Sequence, residues 1–357
     1  MARLTRAEHQ EHNRAQILEA ARAEFGERGF REAKIDAIAE RAGLTRGAVY
    51  SNFPGKRALY FAVLADGAER RTAPPDAEPA LSVPEAFGAL ARVWVGRLPL
   101  AVEDGDGAAR LARDLMPEIV ADERTRVPFA QLMRLEAILL ALAMETLAAS
   151  ARRRVREAEA VLTTLQGVSQ MAAAAPGFVE PFDVVAVCDR LAGLDLGGGW
   201  PPPHLIYASP ARPADEPWLP PRARDAVLAR PARLAADGVV AVLGLHRLEA
   251  AEEAVRAAAP SDTVTVALVS GDPGELGPLA RLAVAELSGC LREAFPASAL
   301  SRLQVVHDEG GDLARAAGVP AVGDATEAAV RVEAGRIVAR AEGRGACHAA
   351  ASAANTP

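Results

Sequence analysis

The sequence predicts a multidomain protein in which an all-α N-terminal part is followed by a C-terminal α/β domain. Apolar residues recur at helical spacing through most of residues 11–197, and a Gly- and Pro-rich segment follows at 198–236. From residue 237 onward, short apolar runs alternate with amphipathic helices, which is typical of a parallel α/β unit. With 357 residues, 50% of them hydrophobic, the chain is long enough for two or three domains.

Three helices with consistent start and stop residues are predicted in the first 71 residues. The first has an apolar face formed by Ile17, Leu18, Ala21 and Phe25. It ends at Gly29, where a left-handed backbone can stop a helix. The second has an apolar stripe formed by Ile35, Ile38, Ala39 and Ala42. Gly43 ends it, and Thr45 caps a third helix that runs to about Phe53, so residues 34–53 are a predicted helix-turn-helix.

The third helix has one side that suits a nucleic acid. Val49 and Phe53 are four residues apart and would face the core, which turns Arg46, Gly47 and Tyr50 outward. Arg46 opposes the helix dipole in the first turn, so an anionic or guanine partner explains it better than local stability does. Gly47 costs about 1 kcal/mol of helix propensity. That cost is consistent with a helix that must approach the floor of the DNA major groove closely.

These positions together resemble the tetracycline-repressor (TetR/AcrR) family of bacterial transcription regulators over residues 11–71. The resemblance is carried by Ile38-Ala39, Ala42-Gly43-Leu44-Thr45, Gly47, Val49-Tyr50, Phe53 and Lys56, with Phe25 and Gly29-Phe30 before them. It implies that the DNA is contacted by Lys34, Thr45, Arg46, Gly47, Tyr50, Asn52 and Lys56. Most relatives have Ser or Thr where this chain has Ala33-Lys34, so Lys34 would replace a hydroxyl contact to phosphate. For Tyr50, plain packing of the ring is the alternative, and for the two lysines a solvated charge.

Charge and cysteine content agree with such a regulator. The net charge is −7, yet residues 1–71 contain thirteen Lys and Arg against ten Asp and Glu. The sequence shows no apolar run of roughly 18 residues and no signal peptide, so we expect a cytoplasmic protein without a membrane segment. Cys188, Cys290 and Cys347 lie far apart without metal-ligand spacing, and we expect no metal site and no cofactor.

Residues 84–197 are predicted to form a second helical domain. The expected helices span 84–97, 108–116, 129–149, 152–174 and 180–194. By resemblance, this domain would enclose a cavity for a small-molecule effector and would form a homodimer through its last two helices. Trp94, Met133 and Met144 are candidates for the cavity wall, although such residues at helical spacing more often form plain core. The dimer candidates are Val155, Leu162, Leu165, Ser169, Phe182, Val185, Cys188 and Asp189.

Residues 237–343 are predicted to form the α/β domain, after a linker at 198–236. The expected strands are 239–245, 264–269, 303–306, 328–332 and 336–341, and the expected helices are 248–259, 276–294 and 312–317. This order, with the segment 307–319, resembles a thioredoxin-like or redoxin domain. The position of that family's reactive cysteine carries His246 and Arg247 instead, so redox catalysis is doubtful. Residues 344–357 are expected to be a disordered tail that exposes Cys347.

The sequence as a whole predicts a DNA-binding transcriptional regulator and no enzyme. We expect a dimeric repressor that a small molecule releases from a palindromic double-stranded operator, because two reading helices are needed for half-sites on successive major grooves. One alternative is a bifunctional regulator with a redox or thiol-dependent C-terminal domain. Another is a scaffold that uses this domain to bind a protein partner.

Overall fold

All the regular secondary structure in the described residues of the N-terminal part is helical. The computed structural model describes residues 6–71, 82–98, 107–150, 152–200 and 209–353. The first four helices are α1 (Arg6–Glu32), α2 (Ile35–Arg41), α3 (Arg46–Asn52) and α4 (Lys56–Glu69). Gly29 interrupts α1 with a φ of 74°, which confirms the predicted stop of the first helix. Phe25 packs edge-on against Tyr60 of α4, with ring centroids 5.4 Å apart, and so fixes α4 across α1.

Six further helices complete the helical part. They are α5 (Val83–Val95), α6 (Gly107–Arg113), α7 (Leu115–Val120), α8 (Glu123–Leu147), α9 (Val155–Ala174) and α10 (Pro181–Ala192). The helix expected at 108–116 is in fact two, divided at Asp114, and α8 starts earlier than expected because Asp122 caps it. α8 is the one described helix whose length and hydropathy would suit a membrane crossing, and 67% of its most apolar window is buried inside the protein. It forms the centre of the bundle.

A six-stranded mixed sheet forms the C-terminal part. Its strands are β1 (Arg212–Pro217), β4 (Gly238–Gly244), β5 (Thr263–Val269), β6 (Leu303–His307), β7 (Glu327–Glu333) and β8 (Arg336–Glu342), and β2 (Arg224–Asp225) pairs separately with β3 (Arg230–Pro231). The helices are α11 (Ala250–Ala257), α12 (Leu276–Ala294), α13 (Asp312–Ala316) and α14 (Ala346–Ser352). The strand order is β1-β8-β7-β4-β5-β6, in which β4, β5 and β6 are parallel and the other pairs are antiparallel. This sheet is compatible with the predicted α/β domain.

Two expectations about the segments beside this domain are wrong. Part of the predicted linker at 198–236 belongs to the sheet, because β1 pairs with β8 and Glu216 forms an ion pair with Arg340 at 2.6 Å. β1 is mostly exposed and lacks apolar alternation, so the sequence gives no strand signal there. The predicted disordered tail at 344–357 contains α14, which packs against α11 and β7. The alanines of α14 are small enough for this close packing. Because nearly all residues of α14 are small, the sequence shows no amphipathic pattern that would predict a helix.

The helical and α/β parts share an extensive interface centred on α12. This helix packs against α4, α5 and α8. Leu282 of α12 is 4% exposed and forms one apolar cluster with Ala65 and Ala68 of α4. Ion pairs join the two parts beside α12, Arg71 with Glu286 at 2.7 Å and Arg97 with Glu293 at 2.7 Å, and a third, Arg256 with Glu145 at 2.6 Å, joins α11 to α8. The α/β domain is therefore an integral part of the folded unit.

Glu136 of α8 is a buried carboxylic acid in this structure. It is 4% exposed, and its Oε2 atom has no hydrogen-bond partner. Burial, with a smaller effect of the Glu286 carboxylate, raises the pKa of Glu136 to about 8. The folded protein therefore holds a proton on Glu136 at a pH where the unfolded chain, with a pKa of about 4.3, has released it. The contribution of Glu136 to the free energy of unfolding is therefore highest when the pH is below the unfolded pKa of about 4.3. It falls as the pH rises from there towards the folded pKa of about 8.

We therefore expect Glu136→Gln to stabilise the protein increasingly as the pH rises from about 5 to about 8. The difference between the free energy of unfolding of the variant and that of the wild type should increase by at most about 1.4 kcal/mol per pH unit. Urea unfolding at several pH values measures this difference. Glu123→Gln, at an exposed position of the same helix, is the matched control. A difference between Glu136→Gln and the wild type that does not vary with pH would contradict the prediction.

Candidate nucleic-acid interface

The side of α3 that faces away from the core is open to solvent. Val49 and Phe53 are each 1% exposed and pack into the core, as predicted. Arg46, Gly47 and Tyr50 are exposed, so their predicted outward orientation is confirmed. α3 begins as expected, because the Thr45 hydroxyl accepts a hydrogen bond from the backbone N–H of Ala48 at 3.2 Å.

Arg46 and Tyr50 form a loosely held pair on this open side. The Arg46 guanidinium lies 5.5 Å from the centre of the Tyr50 ring, and its Nη1 atom is 3.4 Å from Oδ1 of Asp36. The side chains of Arg46 and Asp36 are 62% and 69% exposed, so their ion pair contributes little to stability. The ion pair with Asp36 therefore holds the Arg46 guanidinium only weakly. An anionic partner such as a DNA phosphate can replace Asp36.

Gly47 has no internal reason to be a glycine. A β-carbon at this position would meet only the Thr45 hydroxyl, at 3.8 Å, and the residue lies within the regular part of α3. Alanine would stabilise such a helix by about 1 kcal/mol relative to glycine. The glycine therefore does not make room for another described part of this protein. It leaves the exposed side of α3, which also carries Arg46 and Tyr50, open to a partner.

The two lysines flank α3 in different ways. Lys34 is exposed at the start of α2 and makes no side-chain cap, as expected from the loss of a hydroxyl there. Lys56 begins α4, and its ammonium donates a hydrogen bond to the carbonyl of Arg31 at 3.0 Å. The same ammonium lies 4.7 Å from the centre of the Phe30 ring, and burial lowers the pKa of Lys56. Lys34 is thus free for a phosphate, whereas Lys56 already ties α4 to the end of α1.

Asn52 is more enclosed than the sequence suggests. It is half-buried, and its side-chain amide donates a hydrogen bond to the carbonyl of Ala48 at 2.8 Å. Its own carbonyl accepts a hydrogen bond from Arg14 at 3.3 Å, and the Arg14 guanidinium lies 4.5 Å above the Phe53 ring. Arg14 was not anticipated, because a lone arginine on a long helix gives no sequence signal for contact with α3.

The α/β domain contacts the helix-turn-helix directly, which the sequence did not predict. Gly274, in the loop after β5, packs against Pro54 so closely that a β-carbon there would lie 2.9 Å from Pro54 Cγ. Arg57 in the first turn of α4 donates to Glu275 at 2.7 Å and pairs with Asp122 at 2.7 Å. The turn that follows α3 is therefore held from the α/β side.

Two of the expected effector residues, Trp94 and Met144, are buried in the core of the helical part. Trp94 donates a hydrogen bond to the Ser169 hydroxyl at 2.9 Å, and Met144 is fully buried. Within the described part of the chain, none of Trp94, Met133 and Met144 lines the cavity of about 660 Å³ that lies in the α/β part. Core packing accounts for Trp94 and Met144.

Several of the expected dimer residues face the interior of their own chain. Val155, Leu162 and Leu165 are at most 5% exposed and pack inside the helical bundle. The apolar periodicity of α9 therefore arises from packing inside a single chain. The prediction that these three residues contact a second chain is wrong. Cys188 is also buried, whereas Phe182 on α10 is 83% exposed.

None of the three cysteines is suited to thiol chemistry. Cys188, Cys290 and Cys347 are all buried, which overturns the expectation that Cys347 is exposed. Burial raises the pKa of Cys188 to about 11 and that of Cys290 to about 12, and it also raises the pKa of Cys347. Thiolate, the reactive form, is therefore scarce at neutral pH. At the place where the redoxin resemblance implied a cysteine, His246 is exposed and Arg247 pairs with the buried Glu327 at 2.6 Å.

Comparison with known proteins identifies the class of the first domain. Residues 17–63 match the family model described as bacterial regulatory proteins, tetR family. The chain therefore carries an N-terminal domain of the tetR family, which covers α2, α3 and most of α1 and α4.

Individual relatives match over the same region. The HTH-type transcriptional regulator SrpR of Pseudomonas putida is 49% identical over 65 residues, which are 18% of this chain and 30% of SrpR. The HTH-type transcriptional activator FasR of Mycolicibacterium smegmatis is 45% identical over 51 residues, 14% of this chain and 23% of FasR. The matched segment thus spans less than half the length of these relatives.

Solved structures give weaker likenesses. A TetR transcriptional regulator from Rhodococcus sp. RHA1 has a TM-score of 0.35 and 20% identity, covering 52% of this chain and 95% of its own. RolR in complex with the ligand resorcinol has a TM-score of 0.34 and 21% identity, covering 53% of this chain and 91% of its own.

Proposed function

We propose that this chain is a sequence-specific DNA-binding transcriptional regulator that acts as a cytoplasmic repressor and is released from its operator by a small molecule. The observation that carries the proposal is the open side of α3, where Arg46, Gly47 and Tyr50 are exposed and a β-carbon on Gly47 would meet only the Thr45 hydroxyl. A helix of this shape fits the major groove, with Arg46 directed at base edges and Tyr50 at phosphate. The matched tetR-family domain supports this assignment.

The remaining contacts are proposed from the same geometry. Thr45 and the free N–H groups at the start of α3 suit phosphate oxygens, and exposed Lys34 adds a cation beside them. Asn52 and Lys56 are proposed as flanking contacts that use donor capacity left over from their internal hydrogen bonds.

A homodimer would present two copies of α3 to a palindromic site. On α10 and the turn before it, Phe178 is 71%, Phe182 83% and Val187 45% exposed. Large apolar side chains that are exposed within one short segment are typical of a protein interface. We therefore assign the dimer contact to this surface, in place of the buried residues of α9.

For the C-terminal part we propose a thioredoxin-like domain without thiol chemistry. The parallel strands β4 and β5 joined through α11, the antiparallel hairpin of β7 and β8 beside β4, and the closing helix α14 support this relation. Buried cysteines argue against the bifunctional redox alternative. The close packing of α12 on the helical part favours a regulatory role over that of a separate scaffold.

Two substitutions test the proposed docking on a duplex selected from a random DNA pool. Arg46→Ala should weaken binding and relax base preference at one position, with a loss of about 1–3 kcal/mol for each contact. Lys56→Ala should weaken binding to all sequences and reduce its salt dependence. Fluorescence anisotropy measures both, and it should show two chains per duplex. Arg212→Ala, on the exposed strand β1, serves as the control.

If Arg46→Ala and Lys56→Ala both bind the selected duplex like the wild type, α3 is not the reading helix. A chain that selects no sequence at all from the pool would contradict the proposed function itself.

A further inference from the structure

A cavity of about 660 Å³ lies in the α/β domain, at the place where the end of α4 meets it. It is bordered by Glu69 at the end of α4, by α12, by the segment 221–229 and by residues 306–313 after and including the end of β6. Small-molecule sites in proteins have volumes of roughly 300–1,000 Å³. The carboxyl ends of parallel strands are also where α/β domains commonly bind ligands. Nothing in the proposed DNA contact uses this cavity.

The acidic side chains on one wall of the cavity have partners of their own. Asp308 accepts hydrogen bonds from the backbone N–H groups of Leu313 at 3.1 Å and Ala314 at 2.8 Å. Asp312 forms an ion pair with Arg315. The hydrogen bonds and the ion pair of these two carboxylates are therefore made within or beside α13, and neither carboxylate forms an ion pair with an arginine of the cavity.

Arg281 of α12 lies between the other two carboxylates without a close hydrogen bond from its Nε atom. The distances from Nε are 3.7 Å to Glu69 and 3.5 Å to Glu309. This nitrogen is buried and has no hydrogen-bond partner. A buried donor without an acceptor is costly, by about 1–3 kcal/mol, unless something else accepts its hydrogen bond.

Three further arginines face the cavity without an ion pair to any described residue. Arg222 and Arg224 lie on the segment that covers the cavity, and both are exposed. Arg292 of α12 donates only to backbone carbonyls, those of Ala226 at 3.3 Å and Val227 at 2.8 Å. Burial and the like charge of nearby arginines, including Arg224, lower the pKa of Arg292. Clustered guanidinium groups repel one another and favour a shared anion.

We propose that this cavity binds a small organic anion through Arg222, Arg224 and Arg292. Guanidinium groups bind carboxylates and phosphates with paired, charge-assisted hydrogen bonds, so the ligand carries one of these two groups. The volume suits a metabolite with an anionic end rather than a bare ion. The site is separate from the helical-domain residues Trp94, Met133 and Met144.

The position of Glu69 connects this site to α4. Glu69 is the last residue of α4, and α4 begins at Lys56 directly after the turn that follows α3. An anion bound in the cavity competes with Glu69 and Glu309 for Arg281, and so changes how the end of α4 is held against α12. The anion is thereby the effector that alters DNA affinity. This second step rests on the proposed function, whereas anion binding itself does not.

The experiment measures thermal unfolding of the full chain in titrations of pyrophosphate and, separately, citrate, with KCl at matched ionic strength as the blank. We expect a saturable rise in Tm with at least one of the two anions. Arg222→Gln combined with Arg224→Gln should weaken binding by at least about tenfold, the loss expected from one or two charge-assisted hydrogen bonds. Both residues are exposed, so the variant is expected to fold. Arg230→Gln, exposed on the neighbouring strand β3, is the matched control.

The outcomes separate the possible results. Binding of pyrophosphate alone assigns a phosphate ligand, and binding of citrate alone assigns a carboxylate. Failure of both anions to exceed the KCl blank overturns the proposal, as does equal binding by the double variant and the wild type. In a second arm, saturating anion should change the anisotropy-measured affinity for the selected duplex several-fold. An unchanged affinity overturns the effector role, while absence of any DNA binding refutes the proposed function and leaves the anion result standing.

Discussion

Replacing Gly47 with glutamine is expected to make the protein more stable and to weaken its binding to the selected duplex about 100-fold, at a cost of about 1–3 kcal/mol per disturbed half-site. Glutamine is a good helix former, so the melting temperature should rise with a gain of up to about 1 kcal/mol. Gly47 is exposed, and a β-carbon at this position meets only the Thr45 hydroxyl at 3.8 Å, so the protein leaves room for the start of the new side chain. The loss of affinity would therefore arise from the DNA side alone.

The matched control for this prediction is Gly67→Gln. Gly67 lies within α4, and a β-carbon there would meet nothing within 4 Å. Both variants should gain stability by differential scanning calorimetry, and only Gly47→Gln should lose affinity by anisotropy. If Gly47→Gln binds the selected duplex as tightly as Gly67→Gln does, the proposal that α3 approaches the major groove closely at residue 47 is wrong.

Replacing Leu282 with aspartate should remove most of the stability of the whole chain. Leu282 is 4% exposed and packs against Ala65 and Ala68, so the variant loses buried apolar area and buries a charge without a partner. The expected cost is about 4 kcal/mol or more, out of the roughly 5–15 kcal/mol that stabilise a typical domain. Because α12 also contacts α5 and α8, the helical part should unfold together with the α/β part.

Urea unfolding followed by circular dichroism and by tryptophan fluorescence measures this loss and its cooperativity. Leu219→Asp provides the control, because Leu219 is 81% exposed and its replacement should change stability by less than about 0.5 kcal/mol. Two separate transitions in Leu282→Asp, with the helical part still folded, would show that the interface does not couple the two parts.

Local sequence signals predicted the elements of this protein well. Gly29, Gly43 and Thr45 fix the ends of the first three helices by backbone conformation and capping, which depend on near neighbours only. The strands β4 to β8 and the helix α12 follow from apolar runs and periodicity in the same way. The outward side of α3 was predictable for this reason, since Val49 and Phe53 define its inward side.

Relations between distant segments were not predictable in this way. β1 has a strand conformation because it pairs with β8, and its own residues give no alternation. Val155, Leu162 and Leu165 form an apolar stripe. The sequence alone does not show whether such a stripe packs against the same chain or against a second chain. The arginine-lined cavity brings together Glu69, Arg224 and Arg292, and no local pattern links residues so far apart.

The packing of α12 on α4 has a consequence for synthesis of the chain. Arg71 and Glu286, which pair across this contact, are 215 residues apart. At the roughly 5–20 residues per second of translation, the second partner is made about 10–40 s after the first. During that interval the apolar sides of α4 and α8 lack the helix that covers them in the finished protein. The nascent chain therefore exposes these apolar sides until α12 has left the ribosome.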